Sequence, residues 1–251
     1  MMLLALLTAL LAAGPDAGAP AARNPRAVLA DYGKALGGTE ALRKHHNVHI
    51  KRAIEARGMN IHGTDERWST DKGQFLVITE LVKVATSRQG SDGKVQWAED
   101  PINGLRVVTG AEEEEARIES AWDSEVDMAR HYKDVRPAPP PEPPPAGRRW
   151  ECVELVPEKS SAGVSCFDAE THLRVYQKGS QETPQGTTPY VRRFSDWREV
   201  GGTRIPYTEE LTAGPLSVVS QVTSVAFDEK VPPRLFALPK GVKSARPAAK
   251  K

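Results

Sequence analysis

The clearest pattern in the sequence is a run of three long alternating segments between Tyr190 and Phe227. Gly201-Gly202 separates the first segment from the second, and Gly214-Pro215 separates the second from the third, as is typical of tight turns. In the middle segment the apolar residues share one face: Ile205, Tyr207 and Leu211. The pattern predicts an antiparallel meander with one buried face. Each segment has about eleven residues, or roughly 35 Å, so the sheet must coil around whatever covers that face.

Shorter segments of the same kind precede the meander. Alternating or apolar runs that predict strands lie at 48–56, 59–69, 74–85, 94–97, 105–108, 149–156, 163–167 and 173–178. We interpret 74–85 as one strand, either central or leading into an edge of the sheet, because it is nearly continuous in apolar residues. Turn residues such as Asp92-Gly93 and Asn103-Gly104 separate neighbouring runs. The first half of the chain is therefore predicted to be a second meander.

Two helical regions interrupt the strands. Asn24-Pro25 is a typical helix start, and apolar residues at helical spacing follow as far as Leu36. Gly37-Gly38 then ends this helix before a short helix that reaches Leu42. The pattern also predicts one long helix over 112–134 lying across the sheet, with one apolar side: Ile118, Ala121, Trp122, Val126, Ala129 and Tyr132.

Four consecutive acids, Glu112 to Glu115, open the long predicted helix. Acids in a first helical turn complement the helix dipole, so we interpret this run as a solvated helix start. A cation site is the alternative. The histidines His45, His46 and His49 are interpreted as exposed residues at a helix–strand junction, with a metal site again as the alternative.

The apolar run at 3–13 is too short to span a membrane and is followed by small residues. We interpret 1–22 as a signal peptide cleaved between Gly14 and Ala22, which predicts a periplasmic protein; a buried helix or a retained anchor is the alternative. Residues 23–239 are predicted to form one domain, with a Pro-rich insertion at 136–147 and a disordered tail at 240–251. The insertion is interpreted as a spacer rather than a proline-recognition ligand.

Two cysteines, Cys152 and Cys166, lie symmetrically about the turn-like stretch 157–161. A hairpin there would place them opposite each other, so the sequence predicts a disulfide. The same antiparallel register predicts three further pairs: Val153/Ser165, Glu154/Val164 and Leu155/Gly163. A redox or metal pair would need closer spacing or more ligands.

Charge and motifs narrow the functions that remain. The 34 basic residues nearly balance the 33 acidic ones, and no basic stripe supports nucleic-acid binding. The sequence holds no nucleophile elbow, phosphate loop, paired-cysteine zinc ligand set or dinucleotide fingerprint. We therefore predict a protein that is not an enzyme and needs no cofactor.

Several short stretches together resemble a known family: 35–42, Asp92 to Trp97, Phe167 to Leu173, Arg204-Ile205-Pro206, and Phe227-Asp228 with Phe236. They are similar to the outer-membrane lipoprotein-sorting family of LolA/LolB-like carriers, over roughly 25–239. The resemblance implies an α+β, mainly β fold: an unclosed antiparallel β-barrel of about eleven strands, with helices as a lid over a hydrophobic concavity that holds acyl chains.

The leading functional hypothesis is an exported binding protein for a lipid or lipoprotein acyl chain, taking part in outer-membrane lipoprotein sorting. A structural or protein-interaction module of the envelope, with a filled concavity, is the alternative. The hypothesis implies a monomer that contacts acyl chains, envelope proteins and the membrane periphery. Residues of the concave face and lid are the candidate ligand contacts: Ile50, Ile54, Phe75, Val77, Trp97, Ile118, Trp122, Ile205, Tyr207 and Leu211.

Overall fold

A single antiparallel sheet of thirteen strands dominates the computed structural model, which describes residues 23–242. The first six strands are β1 Asn47–Ala56, β2 Ile61–Thr70, β3 Gln74–Leu81, β4 Ala85–Asp92, β5 Gln96–Asp100 and β6 Gly104–Val107. The other seven are β7 Asp134–Ala138, β8 Trp150–Val156, β9 Gly163–Asp168, β10 Arg174–Thr183, β11 Gly186–Val200, β12 Thr203–Ala213 and β13 Leu216–Phe227.

The order of the strands shows how the sheet is built. It runs β6-β5-β4-β3-β2-β1-β13-β12-β11-β10-β9-β8-β7, so two meanders, each in chain order, meet where β1 pairs with β13. A bulge between Lys51 and Arg52 interrupts that pairing. The sheet twists and curls into a half-barrel. The half-barrel stays open because β6 and β7 are edge strands that do not pair with each other. The predicted fold class, an unclosed antiparallel barrel with helices, is confirmed.

Two strands were not predicted from the sequence pattern. The run at 74–85 is not one strand: β3 ends at Leu81, Lys83 has a φ of +60° in the turn, and β4 begins at Ala85. β4 is mostly polar and carries little apolar signal. β7 contains Pro137, which an edge strand tolerates because the missing amide faces no neighbouring strand.

The helices are shorter than predicted. α1 spans Pro25–Ala35, α2 spans Gly38–Leu42, α3 spans Gly110–Ser120, and a 3-10 helix covers Met128–His131. The single helix predicted over 112–134 is therefore wrong. The backbone leaves the helix at Ala121, where φ is −60° and ψ is 134°. Trp122 consequently follows the helix instead of lying on its face.

Tertiary contacts explain why the long helix breaks. Val126 and Met128 pack into the core cluster beneath α1. The Glu125 carboxylate accepts hydrogen bonds from the Tyr32 hydroxyl and, at 2.9 Å, from the Arg174 guanidinium. A continued helix could not deliver these groups together. The polar residues of the stretch, such as Asp123, have low helix propensity and make the break inexpensive.

α1 covers one end of the sheet. Its buried residues contact side chains of β7, β8 and β9 in one apolar cluster: Val28, Leu29, Tyr32, Leu36, Met128, Val135, Val153, Leu155, Phe167 and Leu173. Tyr32 is fully buried, and its ring lies 4.7 Å from that of Phe167. The main core therefore lies between α1, the 3-10 helix and the second meander. No helix within 23–242 has both the length and the apolar character to cross a membrane.

The predicted disulfide is confirmed. Cys152 and Cys166 are bonded, with their Cα atoms 4.0 Å apart on neighbouring strands β8 and β9. The three further pairs of the register also match the prediction. The bridge lies in a second cluster with Tyr176, on the face opposite Val153. The Pro-rich segment approaches this region, since Glu142 accepts hydrogen bonds from Arg193 at 2.7 and 2.9 Å.

The predicted signal peptide, 1–22, lies outside the described residues, as do residues 243–251 of the predicted tail. The single-domain boundaries stay a prediction.

Removing the disulfide should destabilise the protein. In the chain-entropy model, closing a loop of this length contributes about 3 kcal/mol, and we expect C152A/C166A to lose roughly that free energy of unfolding in urea titrations. The single variant C152A, which also cannot form the bridge, should lose about as much. Non-reducing peptide mapping of protein from an oxidising compartment should give one cross-linked peptide, and two free thiols there would contradict the assignment.

At Gly33 the structure predicts that alanine destabilises the protein, whereas helix propensity alone would predict that alanine stabilises it. A Cβ on Gly33 would lie 2.2 Å from the Val126 carbonyl oxygen. We therefore expect Gly33→Ala to lower the free energy of unfolding by about 1–3 kcal/mol, although Ala is the better helix former. Ala30→Gly, at an exposed position of the same helix, should cost only about 1 kcal/mol. A neutral or stabilising Gly33→Ala would show that α1 does not dock in this way.

Candidate ligand-binding cavity

A cavity of about 510 Å³ lies between α3 and the curled sheet. One wall comes from β3, β4 and β5, and the other from β8, β9, β10 and β11, while α3 closes one side. The turns at 101–103 and 183–185 border it, and the Gln185 amide donates to Asn103 Oδ1 across 2.6 Å. The two meanders therefore enclose the cavity jointly, with α3 as the cover.

Glu114 fixes the cover to the second meander. Its carboxylate accepts the backbone amides of Glu158, Lys159 and Ser160 at 2.9, 2.6 and 2.7 Å. Burial alone would raise the pKa of Glu114, but these amide donors outweigh burial and hold the pKa below its ordinary value. The side chain is buried, so the interpretation of 112–115 as a solvated helix start is wrong here.

The neighbouring acids of α3 make further contacts with the sheet. Glu112 forms a bidentate pair with Arg106 of β6 at 2.6 and 2.7 Å. Glu115 accepts the backbone amide of Glu182 in β10 at 3.0 Å. The acidic run thus connects α3 to β6, to the 158–160 loop and to β10. The helical spacing of the sequence contains no sign of these contacts.

Glu119, one turn further along α3, completes these contacts. Its carboxylate accepts a hydrogen bond from Arg192 of β11 at 2.8 Å, and its backbone carbonyl accepts one from Arg67 of β2 at 2.6 Å. The positive charge of Arg192 is the main cause that lowers the pKa of Glu119. Because Arg67 and Arg192 belong to different meanders, the last turn of α3 bridges the two halves of the sheet.

The cavity lining is mixed in character. Apolar and aromatic side chains from several elements contribute: Val77, Ala85, Ala98, Ile102, Ala116, Ile118, Tyr132, Leu155 and Tyr190. Charged side chains also line it: Arg88, Glu99, Asp100, Arg106, Glu112, Glu115, Glu119, Glu182 and Arg192. The cavity can therefore hold an apolar chain while offering ionic and hydrogen-bonding partners to a polar group.

Among the carboxyl groups that line the cavity, Glu115 has a pKa raised well above its ordinary value. Burial raises its pKa to about 7. The negative charges of Glu182, Glu119 and Glu112 act in the same direction, and the hydrogen bond from the Glu182 amide opposes them. Near neutral pH the cavity therefore contains a carboxyl group that can be charged or neutral.

Only two of the ten predicted contact residues line this cavity. Val77 and Ile118 line the cavity, and the other eight lie outside its lining. Pairing between strands places these five on one face of the sheet: Ile50, Ile54, Phe75, Val77 and Leu211. Ile205 and Tyr207 are half-buried on β12. Trp97 pairs with Gly90 on the opposite face, and Trp122 is half-buried after the end of α3.

Histidines that were predicted to be exposed form hydrogen bonds with carboxylates. His49 is buried, with Nε2 at 2.7 Å from Glu66 and Nδ1 at 2.6 Å from Glu229. His45 Nδ1 lies 2.7 Å from Asp228. These contacts hold the segment after β13 against β1, so the interpretation of His49 as exposed is wrong. Among the described residues, no group of three or more His, Cys, Asp or Glu is arranged to hold a metal ion.

The stability of the protein should depend on pH through Glu115. A carboxyl whose folded-state pKa is raised from 4.5 to about 7 favours folding below pH 4.5, and this contribution is lost as pH rises through 7. Glu115→Gln keeps an acceptor for the Glu182 amide but cannot ionise. We expect its melting temperature, relative to wild type, to be higher at pH 8 than at pH 5.

Glu113→Gln is the matched control, because it removes the same charge from the same helix at a residue outside the cavity lining. Its difference from wild type should change less between the two pH values. Parallel pH profiles for all three proteins would contradict the raised pKa of Glu115.

No protein-family model matches the chain, and no curated protein sequence matches it either. Solved structures do match. A LolA superfamily protein from Nitrosomonas europaea aligns with a TM-score of 0.52 at 10% identity, over 86% of this chain and 99% of that one. A DUF1329 family protein from Desulfovibrio piger gives 0.54 at 13% identity, over 85% and 98%.

A third match is a putative outer membrane lipoprotein-sorting protein domain from Vibrio parahaemolyticus, with a TM-score of 0.54 at 12% identity, over 83% of this chain and 94% of that domain. The likeness read from short sequence stretches is confirmed as a likeness of fold. The chain has the open half-barrel fold shared by LolA-like and lipoprotein-sorting proteins.

Proposed function

We propose that the protein is a non-enzymatic periplasmic binding protein that holds the acyl chain of a lipid or lipoprotein. The observation that carries the proposal is the cavity of about 510 Å³ enclosed by the two meanders and α3. Its volume lies within the range of roughly 300–1,000 Å³ typical of small-molecule sites. The likeness in fold to lipoprotein-sorting proteins supports the same function, including a part in lipoprotein sorting.

The walls of the cavity suit an extended apolar chain. Ile118 and Ala116 project from α3, and Val77 and Ala98 lie on strands of the first meander. Leu155 contributes from the second meander. We propose that Val77 and Ile118 contact the chain directly, because they are the predicted contact residues found in the lining. Burial of apolar area at about 25 cal/mol per Å² would supply the driving force.

The competing hypothesis, an envelope module with a filled concavity, predicts that helices occupy the concave face completely. α1 does fill one end of it through Tyr32 and its neighbours. At the other end α3 stands over the sheet on polar and ionic contacts and leaves the cavity beneath. This difference between the two ends favours a carrier.

The proposal predicts co-purifying lipid and saturable binding of an apolar probe. Ser87 of β4 lines the cavity, whereas Thr86 beside it is exposed and outside the lining. We expect Ser87→Trp to weaken binding of N-phenyl-1-naphthylamine by about tenfold or more, which is the effect of losing roughly 1.4 kcal/mol. Thr86→Trp should bind as wild type does, because its indole points to the other face of the strand.

The measurement is fluorescence titration, together with mass spectrometry of lipid extracted gently from freshly purified protein. Equal melting temperatures of the two tryptophan variants would show that Ser87→Trp blocks the cavity without unfolding the protein. If wild type carries no lipid and shows no saturable probe binding, the proposed function is wrong.

A further inference from the structure

The large apolar side chains that stay exposed are concentrated at one end of the sheet. Six such side chains among the described residues are exposed over 37 to 82% of their surface. The sixth of them, Val107, lies at the far end of β6. The other five lie in or beside turns at a single end: Met59, Val82, Val84, Ile102 and Leu216. Single exposed apolar residues are normal on a protein surface, but their collection at one end marks that end as a contact surface.

The strand pairing shows that these turns share one end. In a meander of antiparallel strands every second turn lies at the same end. This places three turns together, between β1 and β2, β3 and β4, and β5 and β6: 57–60, 82–84 and 101–103. The β12–β13 turn at 214–215 belongs with them, because Ala56 at the end of β1 pairs with Val218 near the start of β13.

The same end is the mouth of the cavity. The turns at 101–103 and 183–185 border the cavity, and the Gln185 amide donates to Asn103 Oδ1 across 2.6 Å. Ile102 both lines the cavity and is the most exposed of the five apolar side chains. We call the five turns together the turn rim: 57–60, 82–84, 101–103, 183–185 and 214–215. A surface that touches the turn rim therefore also touches the mouth.

The turns at the opposite end of the sheet have a different character. They connect β2 to β3, β4 to β5, β9 to β10, and β11 to β12: 71–73, 93–95, 169–173 and 201–202. None of these four holds an exposed large apolar side chain within the described chain, since Val95 and Leu173 are buried. Turns are usually polar, so the apolar tips of the turn rim are not a consequence of turn geometry.

The charges at the turn rim favour a negatively charged surface. Its five turns contain two basic residues, Arg57 and Lys83, and no acidic residue. Lys83 is exposed at the tip of its turn, between the two exposed valines. Arg57 also pairs with Glu210 of β12 at 3.0 Å. The β8–β9 turn at the same end is neutral, since it holds one acid and one base.

More basic residues follow in the sequence from a point beside the turn rim. A Cβ on Gly241 would lie 3.8 Å from Leu105 Cδ2, two residues after the 101–103 turn. Residues 243–251 contain four basic residues and no acidic one: Lys243, Arg246, Lys250 and Lys251. The described chain therefore approaches the mouth of the cavity just before a strongly basic stretch.

We propose that the turn rim docks on a membrane surface that contains anionic lipids, with its apolar tips between the headgroups and the acyl chains. Apolar side chains on separate turns form no continuous patch of the kind found at the core of a protein interface, but each can enter lipid on its own. Basic residues nearby add attraction to anionic headgroups. The inference rests on the proposed function, because it names the surface with which the cavity would exchange an acyl chain.

The first test is flotation with vesicles of phosphatidylcholine that contain about one-third phosphatidylglycerol. Val82 and Val84 lie outside the cavity lining, and V82S/V84S should weaken vesicle binding by about tenfold. Val107→Ser removes a valine of similar exposure away from the turn rim, so it should bind as wild type does. Vesicle binding that V82S/V84S leaves unchanged would overturn the inference.

The second test concerns charge. Wild type should bind the anionic vesicles more tightly than vesicles of phosphatidylcholine alone, and added salt should reduce the difference. Lys83→Gln should weaken binding to the anionic vesicles. Lys94→Gln, at an exposed position in a turn of the opposite end, should leave it unchanged. Equal effects of the two substitutions would show that only the net charge of the protein matters.

The third test reports the orientation directly. Cys152 and Cys166 are the only cysteines and are bonded to each other, so one introduced cysteine gives a single labelling site. An environment-sensitive nitrobenzoxadiazole label at V84C should shift its emission to the blue when anionic vesicles are added, and the same label at K94C should not. A shift at K94C alone would place the opposite end on the membrane and contradict the proposal.

The remaining outcomes separate docking from ligand binding. If wild type does not bind vesicles but takes up N-phenyl-1-naphthylamine saturably, the inference is wrong and the proposed function stands. If it binds vesicles through the turn rim but takes up no dye and carries no lipid, docking stands and the proposed function fails. Sedimentation velocity completes the set, because a dimer that V82S/V84S dissociates would assign the tips to a second copy of the chain instead of a membrane.

Discussion

The pairing of β1 with β13 is the constraint on which the rest of the molecule depends. It joins residues 48–56 to residues 218–227, and each meander on either side of it is otherwise a chain of local hairpins. Closing so long a loop costs conformational entropy, and only the contacts of the completed sheet offset that cost. Once the pair forms, the two meanders become a single coiled surface, and their far strands curl towards each other over the concave face. The cavity exists because that surface is larger than the helices that cover it.

The two ends of the concave face are covered by different forces. Under α1, apolar side chains such as Leu29 and Phe167 exclude water and form the main core. Under α3, the contacts are mostly carboxylates that accept amides and pair with arginines, with Glu114 as the most completely bonded of them. Such contacts are directional and can be replaced by water, whereas an apolar core cannot. This difference explains how one helix closes the main core while the other leaves a cavity beneath it.

The same carboxylates link the fold to its chemistry. Glu112 and Glu119 are matched by arginines, so their charges hold α3 in place. No basic side chain among the described residues pairs with Glu115, and burial together with the negative charges of Glu182, Glu119 and Glu112 raises its pKa to about 7. The same helix therefore carries carboxylates that anchor it and one carboxyl whose charge changes near neutral pH.

The sequence by itself determined the features that depend on neighbouring residues. The long meander, its glycine turns and the Cys152–Cys166 register follow from alternation and turn chemistry, because hairpin pairing is decided locally. Only the tertiary structure decided the rest. Residues 112–134 carry a helical pattern, yet the helix ends at Ser120 since Glu125 must reach Tyr32 and Arg174 on distant elements. Glu114 and His49 owe their burial to contacts far away in sequence, with the 158–160 loop and with Glu229, and a one-dimensional pattern contains no record of those contacts.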